Sequence, residues 1–98
     1  MRFIEALIDA IRRSGWDDES VHESPQEIRI KVVEYNNKHK SGQIHVRMDL
    51  VKESWNKWPE EKQALGKQKL EKSIPAVLQT FAQMHGTMNS LDPGYWTP

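Results

Sequence analysis

Cysteine is missing from the 98 residues of this chain. Disulfide frameworks, thiolate metal sites and thiol nucleophiles are excluded with it, and the absence suits a reducing compartment. Net charge is missing too, because fourteen Lys and Arg balance fourteen Asp and Glu. Any affinity for nucleic acid or an acidic surface must therefore arise locally. Long apolar runs do not occur. The stretch from Met1 to Glu5 meets a carboxylate before a signal-peptide core forms, so the expectation is a soluble, cytoplasmic chain without membrane contact. Glycine-rich phosphate loops, nucleophile elbows and His spacings for a metal are also lacking; no cofactor, no metal and no enzymatic activity are expected.

The apolar residues that are present come in patterned runs. They make up 37% of the chain, with a mean hydropathy of −0.78, which predicts one folded domain with a wet surface. Phe3, Ile4, Leu7, Ile8 and Ile11 mark one face of a helix over residues 2–14, with Arg12 and Arg13 in its last turn and Gly15 placed to end it. Residues 16–27 carry five carboxylates and a proline without sustained periodicity. They read as an acidic loop with, at most, a helical turn at 17–21.

Alternation of Ile28, Ile30 and Val32 with charged neighbours, and of Ile44, Val46, Met48 and Leu50 with His45, Arg47, Asp49 and Val51, predicts two strands. The residues from Asn36 to Gly42 suit a longer hairpin loop with a bulge near Gly42. Pro59, Glu60 and Glu61 signal a helix start. A stripe of Leu70, Ile74, Val77, Leu78, Phe81, Met84, His85 and Met88 extends that helix across Pro75, which either kinks it or marks a fresh start capped by Ser73. His85 is expected at the core edge. Residues 91–98 read as a turn and a short aromatic tail.

The expected architecture is α+β in a single domain: helix, antiparallel β-hairpin, long helix kinked or restarted at Pro75, with both helices on one face of the hairpin. Ile4, Leu7, Ile30, Val46, Leu78 and Phe81 are its expected core. Of the four tryptophans, Trp16 and Trp55 are expected inside and Trp58 and Trp96 partly exposed beside prolines at segment edges.

Charge is segregated along the chain. Residues 1–28 carry three basic and seven acidic side chains, whereas residues 29–52 carry six basic and two acidic. Alternation places Arg29, Lys31, His45 and Arg47 on the hairpin face opposite the core, beside Val33, Tyr35 and Val51, with Lys38, His39 and Lys40 at the tip. That face is either an ordinary solvated surface, a docking surface for an acidic protein patch, or a contact for a phosphate backbone. The acidic stretch 17–27 could also fold over it. Trp58, Tyr95 and Trp96 are candidate aromatic anchors. The functional expectation is a small non-enzymatic interaction domain, an adaptor, inhibitor or modulator of another protein. Its size also suits a phage or mobile-element accessory protein acting on a host nucleic-acid enzyme. The alternatives are a nucleic-acid-binding module that uses the basic face and a homo-oligomeric subunit, such as a homodimer, paired through strand edges.

Overall fold

Helix α1 runs from Phe3 to Arg13 and ends at Gly15, whose φ of 84° is a left-handed conformation that glycine adopts without strain. In the computed structural model, which spans residues 1–98, three antiparallel strands follow: β1 (Trp16–Glu23), β2 (Glu27–Glu34) and β3 (Asn37–Arg47). A short helix α2 (Met48–Lys52) and a 3-10 turn (Trp55–Lys57) lead to the long helix α3 (Glu60–Gln83). A short strand β4 (Thr87–Ser90) and a second 3-10 turn (Pro93–Tyr95) complete the chain. The sheet order is β1-β2-β3-β4, with β4 parallel to β3.

The α+β architecture is therefore the expected one, with the helix first and the long helix later, but the sheet has four strands rather than two. The expected acidic loop at 16–27 is mostly β1. Its apolar phase is broken because Glu19 is skipped in the register between Asp18↔Val32 and Ser20↔Lys31. Trp16 and Asp18 precede that bulge and Val21 and Glu23 follow it, so strict alternation fails across the strand.

β2 and β3 turn at Tyr35-Asn36, tighter than expected. No residue other than Gly15 and Gly86 has positive φ, and the register shifts between Val33 and Glu34, so that residues 38–40 of β3 have no partner on β2 between Asn37 and Ser41. The bulge thus lies near Gly42, separated from it by the paired Ser41. Beyond Arg47 the expected strand gives way to α2. Met48, Val51 and Trp55 recur at helical spacing, and Val51, expected on the outer face, is fully buried.

α1 and α3 cover one face of the sheet. Ile28, Ile30 and Val32 of β2 and Ile44 and Val46 of β3 meet Ile4, Leu7 and Ile11 of α1 and Leu70, Ile74, Val77, Leu78 and Phe81 of α3 in one buried cluster. All six residues expected in the core are there. α3 passes through Pro75 as a single helix of 24 residues, and Ser73 does not cap a new start. Its Oγ lies 2.9 Å from the Lys69 carbonyl and 2.7 Å from that of Tyr95.

Two expectations about the C-terminal third are overturned. The helix stops at Gln83, a turn at Gly86 with φ 74° reverses the chain, and Met84, His85 and Met88 are exposed rather than part of the core stripe. Trp96, expected to be partly exposed, is completely buried. It packs edge-on against Phe3 at 4.8 Å, and Trp55 meets Phe3 at 5.6 Å. The indole N–H groups find partners, Trp96 on Ser54 Oγ and Trp55 on the Met1 carbonyl, both at 2.9 Å. A buried indole of that size outweighs the entropy of ordering a short tail, so the tail folds back on its own domain.

Candidate binding face

The second face of the sheet carries no helix. Because successive strand residues point to opposite sides, burial of Ile28, Ile30, Ile44 and Val46 sends Glu27, Arg29, Lys31, Gln43, His45 and Arg47 to the other face. The register aligns them in cross-strand rows. His22, Arg29, His45 and Ser90 form one row across all four strands, and Ser20, Lys31, Gln43 and Met88 form the next. Glu27 and Arg47 face each other at one end and Asp17, Val33 and Ser41 at the other. Val33, expected on the outer face, is buried here although it lies outside the main core.

Ion pairs punctuate this face. Arg29 Nε lies 2.7 Å from Glu27 Oε1, Lys31 Nζ lies 3.7 Å from Glu19, and Arg47 pairs with Asp49. Near the hairpin tip Lys40 reaches Glu34 at 3.6 Å. The acidic segment thus neighbours the basic one as a paired strand, not as a loop laid over it. His45 lies between two partners, with Nε2 3.3 Å from Glu27 Oε2 and Nδ1 3.1 Å from Ser90 Oγ, and so links β2, β3 and β4. Partial burial raises the Glu27 carboxyl, but the His45 hydrogen bond and the Arg29 charge outweigh it and hold Glu27 below its ordinary range.

Arg29, Lys31, His45 and Arg47 therefore share the open face as expected. Tyr35, Lys38 and His39 project from the tip beyond it, and Tyr35 is 77% exposed. The aromatic candidates do not join them. Trp58 is half-buried beside Trp55 at the start of α3, under the Lys62 ammonium, and Tyr95 is half-buried against the core on the helical side. Trp96 lies in the core.

Sequence reasoning missed Ser20, His22, Met88 and Ser90, all exposed on the same face. Ser20 and His22 could have been found from their i, i+2 spacing had 16–23 been read as a strand; the four-residue β4 gives no such signal. Comparison of the chain with family models, curated proteins and solved structures finds no match. No helix is long and apolar enough to cross a membrane.

Proposed function

We propose that this chain is a small non-enzymatic protein-interaction domain, an adaptor, inhibitor or modulator that docks through the open sheet face and the hairpin tip. The observation that supports this most is the one-sided arrangement of the fold. Both long helices are used up covering one face, while the other presents two ordered rows of exposed polar side chains flanked by Tyr35 and Met88. Rigid strands fix those side chains relative to one another, as a recognition surface needs.

A protein partner with an acidic patch fits better than a nucleic-acid strand, because acidic side chains can be spaced to reach single cations whereas backbone phosphates recur at a fixed interval. Each cation along Arg29, Lys31, Lys40 and Arg47 already has a carboxylate beside it, so a run of phosphates would meet Glu27, Glu19, Glu34 and Asp49 as often as a positive charge. Edge-to-edge self-assembly is disfavoured as well. The bulge at Glu19 interrupts the ladder a second copy would extend along β1, and the β4 edge is only four residues long.

Affinity capture with wild type and with an Arg29→Gln, Lys31→Gln, Arg47→Gln variant, each with and without nuclease, tests the reading. Glutamine suits this better than charge reversal, which would crowd carboxylates around Glu27 and Glu19 and disturb the fold. The expected result is a protein retained by wild type despite nuclease and lost by the variant, with unchanged circular dichroism. Retention of nucleic acid that disappears steeply between about 50 and 200 mM salt would overturn it.

A further inference from the structure

Ser20, His22, Arg29, Lys31 and Gln43 surround a shallow cup in the open face, with a volume of about 170 Å³. Its walls come from three strands: Ser20 and His22 from β1, Arg29 and Lys31 from β2, and Gln43 from β3. Cross-strand pairing of Ser20 with Lys31, His22 with Arg29 and Lys31 with Gln43 holds these five side chains together. The volume lies below the roughly 300–1,000 Å³ of pockets that enclose whole small molecules, so the cup takes one small group projecting from something larger.

The chemistry of the walls selects the group. Lys31, Arg29, Gln43 and Ser20 all bring N–H or O–H donors, His22 adds a ring nitrogen, and no carboxylate lines the cup. Side-chain hydrogen bonds within the chain do not engage Ser20, His22 or Gln43. Arg29 turns Nε to Glu27 and keeps its two Nη groups, and the Lys31–Glu19 pair is long at 3.7 Å, with both side chains 49% exposed. Such a pair yields readily to a better-placed anion.

We propose that this cup binds a phosphoryl group, a phosphate monoester borne on a side chain of the protein partner. A planar carboxylate offers its two oxygens in one plane, whereas the three terminal oxygens of a phosphoryl group form a tripod that donors from three strands meet together. Arg29 and Lys31 match its charge of about −2. Beyond the cup, Glu27 and Glu19 close off the positive region, so one phosphoryl group is accommodated and a continuous backbone is not. The protein-borne source rests on the interaction reading above; the oxyanion site rests on the cup alone.

Amide and side-chain NMR titrations of the full chain separate these two levels. The probes are inorganic phosphate, a phosphoserine peptide with its unphosphorylated twin, and a single-stranded oligonucleotide, all at constant ionic strength set with chloride. Saturable shifts at Ser20, His22, Arg29, Lys31 and Gln43 with phosphate are expected, lost in Arg29→Gln, Lys31→Gln. The phosphopeptide should bind roughly tenfold or more tightly than its twin, since charge-assisted hydrogen bonds separate them. Gln43→Ala, which keeps both cations, should weaken phosphate binding about threefold or more; an unchanged value would leave a diffuse charge effect and overturn the cup. Absence of phosphate shifts at these residues would also overturn it, while leaving capture by the open face untouched. Phosphate binding accompanied by tighter binding of the oligonucleotide than of the phosphopeptide would overturn the protein-borne assignment and the interaction reading together.

Discussion

The indole nitrogen of Trp96 donates to Ser54 Oγ at 2.9 Å across 42 residues of sequence, which ties the C-terminal segment to the link between α2 and α3. The same ring sits against Phe3, and the Trp96 carbonyl lies 2.9 Å from where a Cβ on Gly66 would project. The tail therefore closes the core. Trp96→Ala should lower stability by about 3–5 kcal/mol, the usual range for emptying a large aromatic site. Deletion of residues 92–98 should destabilise at least as much, read as the urea midpoint by tryptophan fluorescence. Trp58→Ala, at a half-buried position, should cost clearly less.

Gly42 lies under the Phe81 ring, and a Cβ built there would come within 2.3 Å of Cγ. The residue is required for close approach of α3 to β3, because no left-handed φ demands it. Gly42→Ala should destabilise by roughly 1–3 kcal/mol through overpacking, and Phe81→Ala by about 3–5 kcal/mol through the cavity it leaves. The double variant should fall short of the sum, since the added methyl occupies space the ring vacated. Additive chemical-denaturation values would show that the two residues do not meet.

Much of this packing was legible in the sequence because it rests on sustained periodicity. The α1 stripe, the alternation in β2 and the second half of β3, and the α3 stripe through Phe81 all follow one period for several residues. β1 was hidden by the skipped Glu19, which moves Val21 and Glu23 to the parity opposite that of Trp16 and Asp18. α2 was hidden for a different reason: Met48 and Leu50 continue the alternation of β3, and only Val51 and Trp55 reveal the change of period. Beyond Gln83 the apolar stripe ran on into residues that form a turn and a strand, so exposure of Met84 and Met88 could not be foreseen from spacing. The cationic half of the open face followed from the alternation in β2 and β3. Its partners on β1 and β4 depended on tertiary pairing, as did the burial of Trp96, which no local pattern encodes.

Pro75 occupies an exposed position within α3, and its missing N–H leaves the Glu71 carbonyl without its helical donor. The helix is held there by Ile74, Val77 and Leu78, each essentially buried. Replacing Pro75 with alanine restores the donor and removes the ring, so Pro75→Ala should raise stability by about 1–3 kcal/mol, less whatever proline gains by restricting the unfolded chain. Calorimetry should show a higher Tm with no change in secondary structure. A lower Tm would mean that the ring's restriction of the unfolded chain outweighs the restored bond.

Acid should weaken the fold through two depressed carboxyls. Asp9 is held below its ordinary range by hydrogen bonding to Arg13 at 2.7 Å, with Lys67 at 3.3 Å assisting against partial burial. At Glu27 burial works in the opposite direction, yet His45 and Arg29 together leave it lowered as well. A carboxyl that ionises more readily when folded binds fewer protons in the native state than in the unfolded one. Its contribution is therefore complete above the ordinary carboxylate range and is lost as pH falls through the folded values. Urea midpoints measured between about pH 6 and pH 3 should decline for wild type and decline less for Asp9→Asn and Glu27→Gln, each of which should start slightly lower at neutral pH. Both pairs are partly solvent-exposed, so salt should reduce the differences. Glu27→Gln keeps a side-chain oxygen within reach of His45 Nε2 but removes its charge, so it tests the charge of this cluster and not the loss of a hydrogen bond. An acid limb as steep in Glu27→Gln as in wild type would mean that the Glu27–His45–Arg29 cluster contributes nothing to the pH dependence of folding.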